Sequence, residues 1–289
     1  MNLGRLGIWA YLDTMSARET VEFARRIEKL GFSTLWIPEA VGRDPFSHAA
    51  FMLAKTEQLI VATGIANIWA RDPVEMAAAA KTVSELSDNR FVNGIGVSHA
   101  PLVDGVREQK YTKPYSYMRQ YLARMKSAPY DAKSLPEATP ILLAALLPRM
   151  LKLAATEALG THTFLAPPEH TAQARALMGP KPLICAAQIV ILENDTSKAR
   201  IVAREYMKFY IPRLPNYTTM LGRLGYGEED IANGCSDRLI DAVIAWGSRD
   251  RIRERIGAQF AAGANHVCVM PLRTDGEPRP DDHAIEILA

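Results

Sequence analysis

The sequence has few of the features that mark membrane-spanning, secreted or disulfide-stabilised proteins. Its three cysteines, Cys185, Cys235 and Cys268, are an odd number without a C-x-x-C pair, so neither a disulfide framework nor a zinc knuckle is expected. The longest unbroken apolar run, Ile141 to Leu147, is far shorter than the ~20 residues of a membrane span. The N-terminus also lacks the pattern of a secretory signal. We therefore expect a cytoplasmic protein without membrane contact.

Charge of one sign is not in excess either. Lysine plus arginine total 34 and aspartate plus glutamate total 32, which gives a net charge of +2. Basic residues are interspersed with acids, as in residues 249–255, whereas nucleic-acid-binding domains usually concentrate them on one face. The composition argues against a nucleic-acid partner.

The sequence does contain a regular alternation of short apolar runs and longer amphipathic stretches. Its 289 residues suit two medium domains or one large α/β barrel, which typically needs about 250 residues. The runs are continuous, as expected of strands buried on both faces of a parallel sheet. Eight strands are predicted, at Leu6 to Tyr11, Thr34 to Ile37, Leu59 to Ile68, Phe91 to Val97, Ile141 to Ala145, Thr163 to Leu165, Leu183 to Leu192 and Val267 to Met270.

Helix signals stand between the strands. Ser16 and Glu19 have the spacing of a capping box, and Asp72-Pro73 combines a capping residue with proline at the first helical position. No Pro/Gly/Ser-rich linker divides the chain. Eight uninterrupted βα units favour a closed (β/α)8 TIM barrel as a single domain over residues 1–289. Residues 100–139 and 209–248 exceed ordinary connections and are predicted to be inserts over an active site or a subunit contact.

In such a barrel the functional groups sit at the carboxyl ends of the strands. His99 follows a predicted strand that contains Gly94 and Gly96, so it is either a site residue or a plain loop histidine. Glu39 ends the second strand, where its carboxylate either binds a ligand or pairs with Arg43.

Leu147-Pro148-Arg149 opens a predicted helix after the fifth strand. Backbone amides at a helix start and a guanidinium together favour a phosphate-bearing ligand, although Arg149 could equally be an ordinary exposed residue. The Gly94 to Val97 segment lacks the third glycine of a dinucleotide fingerprint. His162 and His170 are a poor metal pair because a strand end separates them, so no metal site is expected.

Six segments occur in a characteristic order along nearly the whole chain: LGIWAY, GFSTLWIPEAVGRDPF, IVATGIANIWARDP, RFVNGIGVSHAPLVDG, PILLAALLPRMLKLAATEALG and AAGANHVCVMPL. Together they resemble the bacterial luciferase-like flavin and deazaflavin oxidoreductases. Within that family the sequence is most similar to the subgroup of F420-dependent oxidoreductases.

The resemblance implies a cofactor ring lying over the strand ends. It places a bulge, often with a non-proline cis peptide, at Gly64-Ile65, with Asn67 near the polar edge of the ring. It places the phosphate loop on Ala144, Ala145, Leu146, Leu147, Pro148 and Arg149, flanked by Leu165 and Ala166.

The sequence departs from the family pattern at two strand ends. Members that oxidise a sugar phosphate or an alcohol carry an acid–histidine pair where this chain has Glu39-Ala40. A glutamate is often found where this chain has His99. These departures put a sugar-phosphate activity in doubt and suggest His99 as the proton donor or acceptor, with Glu39 holding ring or substrate.

The resemblance leaves three functions open. The first is coenzyme F420-dependent hydride transfer with a small organic substrate. The second is an FMN-dependent monooxygenase that uses dioxygen, and the third is a non-catalytic flavin-binding protein. A homodimer is also implied. The tyrosines at 111, 115, 117 and 121 suggest either a flat substrate or the packing of a lid.

Overall fold

Eight of the apolar segments pair as parallel strands and close into a barrel. The computed structural model describes residues 2–133 and 135–289. In chain order its strands are β1 (Leu6–Trp9), β2 (Thr34–Ile37), β3 (Ile60–Thr63), β4 (Ala66–Asn67), β5 (Phe91–Gly96), β6 (Ile141–Ala144), β7 (Gly160–Thr163), β8 (Leu183–Ile191), β9 (Ala245–Trp246) and β10 (His266–Pro271). The pairing runs β1-β2-β3-β5-β6-β7-β8-β10, and β10 pairs with β1 to complete the ring. The predicted (β/α)8 TIM barrel is confirmed.

The helices lie around this barrel and over one end of it. They are α1 (Ala17–Lys29), α2 (Pro45–Leu53), α3 (Pro73–Leu86), α4 (Ala100–Val103), α5 (Pro114–Lys126), α6 (Pro148–Glu157), α7 (Pro168–Met178), α8 (Thr196–Met207), α9 (Pro215–Arg223), α10 (Glu228–Ile231), α11 (Asp237–Val243), α12 (Arg249–Ala261) and α13 (Asp282–Leu288), with a 3-10 turn at Ala232–Gly234. None of the helices in the described residues has both the length and the apolar character needed to cross a bilayer.

Alternation along the strands sorts the side chains into two apolar layers. On β1, Ile8 packs between strand and helices, whereas Trp9 faces the barrel interior. The same alternation separates Leu35 from Trp36 on β2. Both faces of each strand are therefore dry, which explains why the strands appear in the sequence as continuous apolar runs.

Local capping fixes where two of the helices begin. The Ser16 hydroxyl accepts from the Glu19 amide at 3.3 Å while the Glu19 carboxylate accepts from the Ser16 amide at 2.6 Å. Asp72 accepts from the Val74 amide at 2.8 Å at the start of α3. Both predicted helix starts are confirmed.

Two predicted strands differ from the observed ones. The predicted strand at Thr163 to Leu165 lies earlier, at Gly160–Thr163, and Leu165 has a positive φ of 52° in the following loop. The predicted strand Leu59 to Ile68 is split at Gly64-Ile65 into β3 and β4, because the chain bulges there and resumes pairing with β5. A single-period apolar pattern does not reveal a bulge.

Both predicted inserts carry structure of their own. Residues 100–139 contain α4 and α5, and residues 209–248 contain α9, α10, α11 and β9. Strand β9 was not expected, and it pairs with the end of β8. Ser134, in the first insert, and Met1, at the start of the predicted domain, lie outside the described residues.

Candidate active site

A large cavity opens at the carboxyl ends of the barrel strands. Its volume is about 1660 Å³, and its walls come from strand ends around the barrel together with α8 and α9. A pocket for one drug-sized ligand occupies roughly 300–1,000 Å³. The cavity therefore has room for more than one small molecule.

The bulge between β3 and β4 forms part of its wall. The Gly64-Ile65 peptide bond is cis, as the family resemblance implied. The Trp9 indole N–H donates to the Gly64 carbonyl at 3.1 Å, and the Gly64 amide donates to the Ile37 carbonyl at 2.7 Å. A Cβ on Gly64 would lie only 2.8 Å from Trp9 Nε1. Glycine is required here because the backbone lies directly against the indole.

Glu39 lies beside this bulge with its carboxylate already engaged. Oε2 accepts from the Asn67 amide at 2.7 Å and from Arg71 Nη1 at 2.8 Å. Oε1 accepts from Arg71 Nη2 at 3.0 Å and from Arg107 Nη2 at 3.2 Å. The Glu39 amide also donates to the Ile65 carbonyl at 3.2 Å. Glu39 thus contacts the bulge from two sides and is itself held by two guanidiniums.

The alternative pairing of Glu39 with Arg43 is not observed. Arg43 instead donates to the Leu12 carbonyl at 3.0 Å and to the Met15 carbonyl. Its guanidinium is directed to the loop after β1, because the turn after Glu39 carries it away from the carboxylate.

His99 lies at the end of β5 and borders the cavity. Its ring centroid is 5.7 Å from that of Tyr217, which comes from α9 in the second insert. Burial lowers the pKa of His99 to about 4, and the neighbouring Asn216 side chain partly opposes that shift. The imidazole is therefore neutral at neutral pH and able to accept a proton.

The predicted phosphate loop lies together on the cavity wall. Helix α6 begins at Pro148, and its capping position, Leu147, makes no side-chain hydrogen bond to the first turn. The Arg149 guanidinium is exposed and lies 4.3 Å from the centre of the Tyr115 ring. All six loop residues line the cavity, namely Ala144, Ala145, Leu146, Leu147, Pro148 and Arg149.

Three other predicted site residues lie behind the wall. The backbone amide of the buried Asn67 donates to the Glu39 carboxylate, and Asn67 Oδ1 accepts from the Trp69 backbone amide at 3.0 Å. Leu165 and Ala166 are buried apolar residues of the barrel core. Ala166 contributes its carbonyl to the Gln259 side chain at 3.2 Å. These residues support the loops that border the cavity rather than lining it.

His162 is a cavity residue whose position the sequence did not reveal. It faces the barrel interior from β7 and stacks on Trp36 with ring centroids 4.5 Å apart. Its Nε2 is buried and has no hydrogen-bond partner among the described residues. Burial lowers the pKa of His162 to about 3. The sequence did not predict this position because the predicted strand starts at Thr163, three residues after the observed start of β7, and so excludes His162.

The second histidine of that pair has a different role. His170 Nε2 lies 2.8 Å from the Leu146 carbonyl and so bonds to the phosphate loop. Across residues 2–133 and 135–289, no group of three or more His, Cys, Asp or Glu side chains is arranged to hold a metal ion.

Aromatic side chains form a further part of the cavity lining, which meets the bulge at Trp9. We call Trp9, Phe164, Tyr206, Tyr210 and Tyr217 the aromatic wall; all five line the cavity. Sequence reasoning missed this wall because its members come from β1, the loop after β7, α8, the turn after α8 and α9. Its one sequence signal is the four-residue spacing of Tyr206 and Tyr210, although α8 ends at Met207, before Tyr210.

The tyrosines singled out from the sequence serve mainly as packing. Tyr117 stacks on Trp69 with centroids 4.0 Å apart, and the buried Tyr121 donates to the Arg71 carbonyl at 2.8 Å. Tyr111 and Tyr115 do reach the cavity.

Comparison with known proteins identifies the family. Residues 3–266 match the model for the luciferase-like monooxygenases. The chain belongs to this luciferase-like family of oxidoreductases.

Two relatives match at the level of sequence, and the first is named for deazaflavin use. A Mycobacterium tuberculosis protein assigned by name to the coenzyme F420-dependent oxidoreductases is 33% identical over 123 residues, which is 42% of this chain but only 35% of that protein. The 5,10-methylenetetrahydromethanopterin reductase of Archaeoglobus fulgidus is 24% identical over 89% of this chain and 90% of its own length.

Solved structures share the fold at low identity. An F420-dependent secondary alcohol dehydrogenase, in complex with an F420-acetone adduct, superposes with a TM-score of 0.77 at 17% identity, covering 99% of this chain and 97% of its own. The FMN-bound oxygenating component of 3,6-diketocamphane monooxygenase from Pseudomonas putida gives 0.72 at 18% identity, covering 100% and 97%. Together the relatives and neighbours support a deazaflavin or flavin cofactor.

The residues present fit such a cofactor. The unpartnered His162 Nε2 offers a buried hydrogen-bonding atom at the cavity floor. The uncapped start of α6 suits a phosphate group because it offers the Arg149 amide and the Arg149 guanidinium on the cavity wall. Glycine at position 64 allows close approach to the bulge.

Proposed function

We propose that this protein is a coenzyme F420-dependent oxidoreductase that acts on a small organic molecule. The observation that carries the proposal is one cavity joining the Gly64-Ile65 bulge, the uncapped start of α6 and a neutral histidine. The Mycobacterium tuberculosis relative and the secondary alcohol dehydrogenase, both named for F420 use, favour a deazaflavin over a flavin.

The chain offers separate groups for the two ends of the cofactor. The first turn of α6 and Arg149 would hold its phosphate, and the Gly64-Ile65 bulge would support its ring. His162 Nε2 would hydrogen-bond to the ring edge. When bound, a deazaflavin supplies a ring carbon that takes up or releases hydride.

His99 would move the proton that accompanies hydride transfer. Because its imidazole is neutral at neutral pH, it would accept a proton when the substrate is oxidised and return it in the reverse direction. Glu39 would act differently from our first expectation. Since both its oxygens are occupied by Arg71, Arg107 and the Asn67 amide, it would position the bulge rather than bind a ligand.

An FMN-dependent monooxygenase is the second candidate function. The FMN-bound diketocamphane enzyme has the same barrel over the full chain, and the uncapped helix start would suit the phosphate of FMN as well. Both cofactors combine a planar ring with a phosphate-bearing tail, so the cavity geometry alone does not separate them.

Titration of the purified protein with each cofactor separates the candidates. We expect F420 to bind at least about tenfold more tightly than FMN, a difference of about 1.4 kcal/mol. Cofactor fluorescence measures both affinities. Tighter binding of FMN would transfer the assignment to the monooxygenase. Binding of neither cofactor would contradict both candidates, whereas binding without turnover of any substrate would favour a non-catalytic flavin-binding protein.

A further inference from the structure

The two sides of the cavity differ in chemistry. The bulge and the α6 start lie at the ends of β3 and β6, and they offer peptide groups and a cation. The aromatic wall comes from β1, the loop after β7 and the α8–α9 region, and it offers ring surfaces. The two sides meet at Trp9, which donates to the Gly64 carbonyl. A cofactor held by the first side would leave the rings of the aromatic wall beyond Trp9 for another molecule, and the volume of about 1660 Å³ allows this.

The rings of the aromatic wall support one another. Trp9 lies 5.3 Å from Phe164, and Phe164 lies 5.7 Å from Tyr210, measured between ring centroids. Tyr210 in turn lies 5.2 Å from Tyr206 and 6.2 Å from Tyr217. All four contacts are tilted or edge-on, the arrangements that aromatic pairs prefer. The wall is therefore a braced apolar surface.

The wall carries no charge at neutral pH. Burial raises the pKa of the Tyr206, Tyr210 and Tyr217 hydroxyls. The Tyr206 hydroxyl lies 3.4 Å from the Tyr210 hydroxyl and 3.5 Å from the Met270 sulfur, so these polar atoms mainly contact one another.

Charged groups near the wall are at its rim, and most of them are paired. Arg273 pairs with Asp275, Arg279 with Glu19, and Glu205 with Lys208. Arg223 borders the cavity as an exposed side chain. The rim also exposes apolar side chains, with relative accessibilities of 68% for Val41, 59% for Ile201 and 56% for Phe209.

From this arrangement we propose that the substrate is an uncharged apolar molecule with a planar ring system, bound against the aromatic wall. The inference rests on the proposed oxidoreductase function, because it assigns the other side of the cavity to the cofactor. His99 borders the wall through Tyr217, which brings a proton-transfer group next to the bound ring. A sugar phosphate would find no unengaged cation on the wall itself.

Binding of three probes to the purified protein tests this substrate class. The probes are 2-naphthol, which is neutral at pH 7, 2-naphthoate, which has the same ring system with a negative charge, and glucose 6-phosphate. Isothermal titration calorimetry without added cofactor should show 2-naphthol binding at least about tenfold more tightly than either anion. If 2-naphthoate binds more tightly and loses that advantage in Arg223→Ala, the site takes ring-bearing anions and the inference is overturned.

Variants of the wall show where the probe binds. Tyr210→Ala removes the ring that contacts three others and should weaken 2-naphthol binding about tenfold. Tyr210→Phe keeps the ring and should bind 2-naphthol with an affinity within about twofold of the parent. If Tyr210→Ala does not fold, Tyr210→Phe still tests the wall, because a loss of 2-naphthol binding in it would contradict a role of the ring surface. The matched control is Tyr130→Ala, since Tyr130 contacts Thr82 away from the cavity and its loss should leave binding unchanged. Equal affinity of the parent and a folded Tyr210→Ala would contradict the proposal.

The outcomes separate this inference from the proposed function. If F420 binds and 2-naphthol does not, the substrate class is wrong while the cofactor assignment stands. If 2-naphthol binds and F420 does not, the aromatic wall is a ligand site but the cofactor assignment falls.

Discussion

At the scale of single residues, Glu39 is a strand-end carboxylate that holds the backbone of the cavity wall in place. Its side chain is 6% exposed and that of Arg71 is 11% exposed, so the pair is largely removed from water. Removing one member of a buried ion pair leaves the other charge uncompensated, which is costly. The Glu39 carboxylate accepts from the Asn67 amide and the Glu39 amide donates to the Ile65 carbonyl, so this ion pair helps to support the bulge in the cavity wall.

We expect Glu39→Gln to lower the free energy of unfolding by about 3 kcal/mol, because Arg71 and Arg107 would lose their partner. Urea unfolding at pH 7 measures this change. Asp44→Asn is the matched control. Its carboxylate also contacts Arg71, at 3.3 Å, but it is half exposed, so its neutralisation should cost less than about 1 kcal/mol. Equal losses of unfolding free energy in the two variants would show that burial of the Glu39–Arg71 pair does not contribute to stability.

Among the secondary-structure elements, α6 begins on the cavity wall without a side-chain cap. Proline at its first position has no amide, and no side chain caps the turn, so the Arg149 amide can bind an anion, whereas the Met150 amide donates to the Leu147 carbonyl at 3.0 Å. Arg149 adds a cation at the same place.

Arg149→Ala should weaken F420 binding about tenfold by removing one charge-assisted contact to phosphate. Fluorescence titration with F420 at low and high salt measures the affinity of parent and variant. The affinity of Arg149→Ala should also depend less on salt than that of the parent. Arg124→Ala on α5 is the control, because Arg124 is an exposed residue of similar size that does not line the cavity. Unchanged F420 affinity in Arg149→Ala would place the phosphate elsewhere.

Across the whole molecule, buried histidines connect stability to pH. His266 donates from Nδ1 to the Gly4 carbonyl and accepts at Nε2 from the Trp36 indole, each at 3.0 Å. Burial lowers the pKa of His266 to about 4 and that of His162 to about 3. Both are neutral in the folded barrel at pH values where the unfolded chain, with a histidine pKa of about 6.5, is protonated. Their stabilising effect is complete above pH 6.5 and is lost as the pH falls.

We therefore expect the free energy of unfolding to fall between pH 7 and pH 5, by about 2 kcal/mol for each of these two histidines. Urea unfolding at both pH values measures the loss. His162→Phe keeps a ring against Trp36 and should reduce the loss by about 2 kcal/mol. Replacement of the exposed His283 by Gln should not change it. A loss that is the same in parent and His162→Phe would contradict the linkage.

The assembly and the location of the molecule stay predictions. The family resemblance implies a homodimer. Analytical ultracentrifugation at micromolar concentration would test whether the protein is a homodimer.

The sequence alone determined the barrel and much of the candidate site. The order of strands and helices along the chain follows from local patterns, because apolar runs mark the strands. Ser16, Asp72 and Pro148 mark the starts of three helices through contacts with their immediate neighbours. The bulge at Gly64-Ile65 was located only through the family resemblance, since nothing in the apolar run marks it. The position of His99 at a strand end followed from the βα count.

Only the tertiary structure decided what surrounds those residues. In it, Glu39 pairs with Arg71 and Arg107, and His162 faces the barrel interior beside Trp36. The aromatic wall brings together segments up to 208 residues apart, from Trp9 to Tyr217. Such contacts join distant parts of the chain through closure of the barrel. Sequence periodicity reports only which face of an element is apolar, and not which side chains from other elements meet that face.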